Sequence, residues 1–166
     1  GIEPLSGIMD TGGRSGQLHY LCYDSAKFDA IREQGATATF RGAIVISHGF
    51  TEFAEKYDEL VWYFLLAGYS VCVLEHRGHG KSARDVDNRC MVWIDDWQRY
   101  VADLAGFAET IGQQYAAGMP LNLFCHSMGG GIGAAGHPGR GQRVEARQGR
   151  ELLQQTDVLG AQPRQD

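Results

Sequence analysis

The sequence contains no apolar run that approaches the roughly 18 residues of a membrane-spanning helix. Its longest candidate, residues 60–69, is short, rich in aromatic residues and interrupted near its end by a glycine. The N-terminus lacks the basic segment followed by an apolar segment that marks a signal peptide, and the first residue is Gly1 rather than Met. We therefore expect a soluble, cytoplasmic protein whose contact with the inner membrane is peripheral and transient.

The chain also lacks a surplus of positive charge. Its formal net charge is −5 and its sequence pI is near 5.6. Because phosphate recognition requires a basic face, this balance argues against nucleic acid as a partner. The 166 residues, 43% hydrophobic and 21% charged, have the composition of one globular domain.

Paired cysteines are missing as well. None of the four cysteines, which are Cys22, Cys72, Cys90 and Cys125, belongs to a CxxC pair, so we expect neither a zinc site nor another metal site. We also expect no disulfide framework, because this is not a short, cysteine-dense secreted chain. Cys72 and Cys125 lie within apolar runs, where cysteine behaves as a small buried hydrophobic residue.

Three short apolar runs predict strands: Ala43–Ser47, Ser70–Leu74 and Leu121–Cys125. The first two are nearly continuous, which is typical of strands buried on both faces of a parallel sheet. Gln17–Tyr23 is expected to add an edge strand, and Asp24–Arg41 is interpreted as a loop or a weak helix.

Helical patterns alternate with these strands. Residues Glu55–Ala67 have apolar side chains at helical spacing and end at Gly68, which suits a C-terminal cap. Asp95–Ala116 carries a longer apolar stripe that starts at Trp97, with Asp95 and Asp96 at its beginning. Alternating strands and helices predict an α/β fold with a mostly parallel sheet and flanking helices.

The composition changes after Ala135. From Gly136 onward the chain has no aromatic residue and no lysine, and arginine and glutamine dominate. Only a short helical pattern at 144–153 is visible. We therefore divide the chain into a folded part, 1–135, and an atypical tail, 136–166, that is expected to be disordered.

The clearest chemical motif is Cys-His-Ser-Met-Gly-Gly at 125–130, directly after the third strand. A serine on a sharp strand-to-helix turn is exposed at the carboxyl edge of the sheet, and the following helix begins with free N–H groups. We predict Ser127 as a nucleophile, with His126 and Gly129 supporting its turn. Cys125 replaces the first glycine of the G-x-S-x-G pattern, and the alternative is a glycine-rich turn with an incidental serine.

Two further loops follow the first and second strands. The segment His48-Gly49-Phe50-Thr51-Glu52 is expected to supply one oxyanion donor, the Phe50 N–H, while Met128 supplies the other. A tight turn capped by His48 is the alternative for His48-Gly49. The EHRGHGKS segment at 75–82 lacks phosphate-loop spacing, so we assign it a structural role in which Arg77 connects neighbouring loops, and we interpret His76 and His79 as loop histidines.

In this order and spacing, the SHGF, EHRGHGKS and CHSMGG motifs resemble the monoglyceride lipase and lysophospholipase branch of the α/β hydrolases. The run from Ile94 to Leu104 is most similar to bacterial lysophospholipases, and the resemblance covers Gly16 to Ala135. It implies the α/β-hydrolase fold with Ala43–Ser47 between the other two strands. It also implies a serine ester hydrolase that acts on lysophospholipids or monoacylglycerols without a cofactor or metal.

The family adds further strands, an acid and a histidine after its nucleophile, but here the only later histidine is His137, ten residues beyond Ser127. We therefore interpret the fold as incomplete at its C-terminus, through truncation or a frameshift near Gly136. The third strand would then be an open edge, and the chain would be a poor or inactive hydrolase. Alternatives are an inactive fragment or pseudo-hydrolase, and peptidase or haloperoxidase activity on the same fold.

Overall fold

A computed structural model describes residues 3–11, 16–27 and 39–136 of the chain. The described elements, in chain order, are β1 (Leu5–Asp10), β2 (Gln17–Tyr23), β3 (Gly42–Ser47), α1 (Asp58–Leu66), β4 (Tyr69–Leu74), α2 (Gln98–Phe107), α3 (Gln113–Ala116), β5 (Leu121–Cys125) and α4 (Met128–Ala135). Short 3-10 turns occupy Ser25–Lys27 and Ala54–Tyr57. The expected tail beyond Gly136, with its helical pattern, lies outside the described residues.

The five strands form one sheet in the order β1-β2-β4-β3-β5. β3 pairs in parallel with β4 on one side and with β5 on the other, which confirms the predicted central position of 43–47. Every residue of β3 is buried, because helices cover both faces of the sheet at this point. The continuous apolar sequence of β3 reflects that double burial.

The N-terminal strands pair differently from the prediction. β2 is a strand, but it is not an edge, because it lies between β1 and β4 and pairs antiparallel with both. The described sheet is therefore mixed, with a parallel centre and an antiparallel flank. β1 was not predicted, because its sequence is short and its side chains are largely exposed.

Alternating side chains of the central strands separate two apolar layers. On one face, Ile44, Ile46 and Val73 pack against α1. On the other face, Val45 and Leu74 pack against α2 and α4, together with the fully buried Phe107. The sheet is therefore held from both sides, and its carboxyl edge is free to carry loops.

The helix predicted at 95–116 begins three residues later, at Gln98. The Asp96 carboxylate accepts a hydrogen bond from the Gln98 amide at 2.9 Å, and Trp97 lies outside the helix with its side chain 47% exposed. A π-helical turn at Ala108–Gly112 joins α2 to α3. There Gly112 faces β3 so closely that a Cβ would lie 2.9 Å from Val45.

The segment 55–67, predicted as one helix, forms the 3-10 turn at Ala54–Tyr57 followed by α1. Gly68 follows with φ +92°, and its amide donates to the Leu65 carbonyl at 3.0 Å, so it closes the helix as expected. No helix in the described ranges is both long and apolar enough to cross a lipid bilayer.

Candidate active site

Ser127 lies at the junction between β5 and α4, as the motif predicts. Its backbone angles are φ 52° and ψ −116°, a conformation that a side chain other than glycine rarely adopts. The turn is closed by hydrogen bonds from the Gly129 amide to the His126 carbonyl and from the Gly130 amide to the Ser127 carbonyl, both at 2.9 Å. This strained turn presents the exposed Ser127 side chain at the carboxyl edge of the sheet.

Glycines make the turn possible. A Cβ at Gly129 would overlap the carbonyl oxygen of Ser47 at the end of β3, so only glycine lets α4 approach the sheet this closely. Cys125 stands where the motif has its first glycine, and Gly133, one helical turn beyond Gly129, makes room for its side chain. A Cβ at Gly133 would lie 2.7 Å from the Cys125 sulfur, so Gly133 leaves the space that the thiol occupies.

The loop after β3 lies beside this turn. Ser47, the last residue of β3, is paired with Cys125, the last residue of β5. The His126 amide donates a hydrogen bond to the Ser47 carbonyl at 3.0 Å. Residues 49–52 form a tight turn in which the Glu52 amide donates to the Gly49 carbonyl at 3.4 Å and Thr51 has φ 58°. Within the described part of the chain, the amides of Phe50 and Met128 donate no hydrogen bond, so both are available to an oxygen at this edge.

A single carboxylate connects the two loops. Oε2 of the buried Glu52 accepts hydrogen bonds from the Gly49 amide at 2.7 Å, the Tyr57 hydroxyl at 2.5 Å and the His126 Nδ1 at 3.1 Å. Its other oxygen contacts the Lys56 ammonium at 2.6 Å. Burial would raise the pKa of Glu52, but these donors, Lys56 foremost, outweigh it and lower the pKa to about 2. Glu52 is therefore ionised at neutral pH.

Three buried imidazoles pack beneath the loop after β3. His48 donates from Nδ1 to the Gly49 carbonyl at 2.7 Å and accepts the His76 amide at Nε2, 3.0 Å away. Its ring lies 4.8 Å from that of His76 and 5.1 Å from that of His79. The His79 ring in turn meets the exposed Phe50 ring edge-on at 5.7 Å. The two loops that contribute these side chains are thus packed into one unit.

Burial keeps these histidines neutral. It lowers the pKa of His48 to about 4, and it also lowers the pKa values of His76 and His79. His76 and His79 lie in the loop after β4, as predicted, and both are buried. Because they are neutral and buried, they contribute packing and hydrogen bonds rather than charge.

Arg77 was predicted to connect neighbouring loops, but its side chain instead joins the loop after β4 to the helix α2. Its guanidinium makes two hydrogen bonds to Asp103 in α2, at 2.9 and 3.1 Å, within a buried ion pair. Burial raises the pKa of Asp103, although Arg77 opposes that shift. Glu75 acts similarly on the other side of the loop, since it accepts hydrogen bonds from the Ala54 amide, the Lys81 amide and His19.

Among the described residues, no histidine makes a hydrogen bond to the Ser127 side chain. The five histidines in this part of the chain hydrogen-bond to other groups: His19 to Ser6 and Glu75, His48 to Gly49 and His76, His76 to Ser47, His79 to Arg77 and His126 to Glu52. His137 lies outside the described residues. In the ranges that are described, no group of three or more His, Cys, Asp or Glu side chains is arranged to hold a metal ion.

Four residues of this region were not predicted to have a role: Glu52, Tyr57, Glu75 and Asp103. Their partners are distant along the chain: Glu52 reaches His126, and Glu75 reaches His19. Only Glu52 could have been recognised from the local sequence. It lies three positions after Gly49 in a turn, a spacing at which a carboxylate can accept a hydrogen bond from the Gly49 amide.

Comparison with known proteins places the chain in a family. Residues 38–147 match the model of the family described as serine aminopeptidase, S33. The chain is 34% identical to a monoacylglycerol lipase of Mycolicibacterium smegmatis over 55% of its own length and 31% of that protein. It is 33% identical to the lysophospholipase L2 of Escherichia coli K12 over 58% of its length and 29% of that protein. The chain therefore spans about a third of the length of the curated relatives it matches.

The fold agrees with these matches. A soluble variant of the monoglyceride lipase from Saccharomyces cerevisiae, solved with a substrate analog, superposes with a TM-score of 0.60 and 26% identity. The match covers 78% of this chain and 38% of the yeast chain. The parallel strands, the tight turn at Ser127 and the packed loops are therefore arranged on an α/β-hydrolase scaffold.

Proposed function

Because this chain belongs to the serine aminopeptidase S33 family of α/β hydrolases, we propose that it is the nucleophile-bearing part of a serine hydrolase that cleaves carboxylic esters of lipid-like substrates. The observation that carries the proposal is the strained backbone of Ser127 between β5 and α4, beside a loop with an unbonded amide. Strain of this kind persists where the surrounding structure demands it, which is typical of active sites.

In the proposed reaction, the Ser127 hydroxyl attacks the acyl carbonyl carbon and loses its proton to a histidine that lies outside the described residues. The carbonyl oxygen becomes an oxyanion, which accepts hydrogen bonds from the Phe50 and Met128 amides. Collapse of the tetrahedral intermediate breaks the ester bond, releases the alcohol with the transferred proton and leaves an acyl-Ser127 ester. Water then attacks the acyl carbonyl carbon and gives its proton to the same histidine. The second tetrahedral intermediate breaks its bond to the Ser127 oxygen, which regains that proton as the carboxylic acid leaves. This route requires no metal or cofactor.

Two observations support a lipid-like substrate, either a monoacylglycerol or a lysophospholipid. The loop beside Ser127 exposes two large apolar side chains, Phe50 and Phe53, which suits an acyl chain better than a charged substrate. Two relatives, a monoacylglycerol lipase and a lysophospholipase, carry names that point to the same class of substrate.

The second candidate is a chain without independent activity. It is favoured by the finding that no described histidine hydrogen-bonds to Ser127, since loss of the base alone reduces kcat by on the order of 10⁶ in a comparable triad. On this view the turn and the amide donors are present, but the serine is not activated.

A fluorophosphonate probe tests the nucleophile directly. We expect slow but selective labelling of Ser127, located by mass spectrometry, and no labelling of that peptide in Ser127→Ala. Labelling spread evenly over the serines would refute the proposed site. Rapid turnover of a nitrophenyl ester, comparable to an intact lipase and abolished in Ser127→Ala, would instead show that a base is present and would exclude the inactive alternative.

A further inference from the structure

Glu52 contacts both loops of the proposed site, although the reaction assigns it no step. Its Oε2 accepts from Gly49, the residue before Phe50, and from His126, the residue before Ser127. One oxygen atom therefore binds the chain next to one oxyanion donor and next to the nucleophile.

The carboxylate is well suited to this position. It is buried, with 8% exposure, and three donors converge on Oε2 while Lys56 occupies the other oxygen. Charge-assisted hydrogen bonds of this kind are shorter and stronger than neutral ones. Lys56 also offsets the negative charge that would otherwise lie close to a developing oxyanion.

Gly49 shows how closely these groups approach each other. A Cβ at this position would lie 2.9 Å from Glu52 Oε2 and 2.9 Å from His126 Nδ1. The two side chains thus meet directly beside the Gly49 backbone, and a side chain there would separate them. The contact between the loop after β3 and the turn at Ser127 depends on this space.

We propose that Glu52 is a positioning residue that fixes the Phe50 amide relative to Ser127 and Met128, so that the two oxyanion donors point at the same oxygen. The inference rests on the proposed function of Ser127. It predicts that Glu52 acts through His126, in addition to closing its own turn through Gly49 and Tyr57. A displacement of about 1 Å in such a site can reduce the rate about 100-fold.

A purely local role would have a different signature. If Glu52 only closed the turn at 49–52, the His126 contact would be incidental, since the His126 side chain is 55% exposed. Removing the His126 ring would then leave the site unchanged, and the effects of changes at Glu52 and His126 would be independent.

The first experiment measures the second-order rate of fluorophosphonate labelling of Ser127 in the full chain and in Glu52→Gln, His126→Ala and the double variant. Glu52→Gln keeps the size of the side chain but replaces one acceptor oxygen by a donor. We expect each single change to slow labelling about tenfold or more, and the double variant to be no slower than the slower single one. Glu59→Gln, an exposed neutralisation on α1, is the matched control and should label within about twofold of the parent.

Unchanged labelling in Glu52→Gln, or effects of the two single changes that multiply in the double variant, would overturn the proposal. If the parent chain itself labels no faster than Ser127→Ala, the proposed function fails, and amide NMR shifts decide the role of Glu52 independently. We expect Glu52→Gln to shift the amides of Ser127 and Met128 as well as Gly49. Shifts confined to residues 49–57 would show that Glu52 acts only within its own turn.

Discussion

At the scale of single residues, two glycines of α4 have opposite surroundings, one tightly packed and one open. Gly129 and Gly131 are two residues apart in α4, yet a Cβ at Gly129 would overlap the Ser47 carbonyl, whereas a Cβ at Gly131 would meet nothing within 4 Å. The backbone of β3 cannot yield easily at that point, because its residues are all buried.

We therefore expect Gly129→Ala to lower the free energy of unfolding by about 1–3 kcal/mol, the usual cost of overpacking. Gly131→Ala, the matched control, should raise it by up to about 1 kcal/mol, because alanine is the better helix former. Urea unfolding of the two variants checks both signs. A Gly129→Ala protein as stable as the parent would mean that α4 does not approach β3 as closely as the structure indicates.

Single residues also show the limit of what the sequence could predict. The turn at Ser127 could be predicted, because its determinants are consecutive and lie directly after an apolar strand. The role of Glu52 could not, because its contact with His126 joins positions 74 residues apart. Trp97 was placed on a buried stripe by periodicity alone, but the Asp96 side chain binds the Gln98 amide and the helix starts after it.

At the scale of elements, the loops after β3 and β4 are held together by neutral, buried histidines. The pKa of His48 is about 4 in the folded protein against 6.5 ordinarily, and the pKa values of His76 and His79 are lowered in the same direction by burial. Between pH 6.5 and 4 the unfolded chain therefore binds more protons than the folded one, and stability falls as the pH falls.

The expected result is a loss that approaches roughly 1.4 kcal/mol per pH unit only well below pH 6.5, and that totals about 1.4 kcal/mol between pH 7.5 and 5.5 for each histidine that remains neutral when folded. Urea unfolding at a series of pH values from 7.5 to 5.5 measures this slope above the range in which ordinary carboxyl groups titrate. His48→Asn, which keeps a donor near the Nδ1 position, should reduce the slope even though it lowers stability at every pH. A slope of zero in the parent chain would contradict the buried, neutral state of these rings.

Elements also divide into those that their own sequence specifies and those that their neighbours specify. β3 and β4 have continuous apolar sequences because both faces are covered, so they were predicted correctly. β1 has exposed side chains and exists through its pairing with β2, which local patterning does not reveal. The same pairing explains why the predicted edge position of β2 was wrong.

At the scale of the whole molecule, the described sheet is unequal at its two sides. One side ends in the antiparallel strand β1, while the other ends in β5, whose register partner is β3 alone. β5 has no fully buried residue, in contrast to β3, and Leu121, Leu123, Phe124 and Cys125 are only partly covered. The expected open flank of 121–125 is thus confirmed within the described residues.

An apolar edge strand with unpaired backbone groups is a template for pairing with another chain. We therefore expect the purified chain to associate through β5 as its concentration rises, with light scattering as the measurement. Asn122→Lys places a charge at the exposed position of this edge and should reduce the average mass at a given concentration. Gln114→Lys adds the same charge at an exposed position on α3 and should not. If both variants behave alike, net charge controls association, and if the parent remains monomeric throughout, the edge of β5 is not available for pairing.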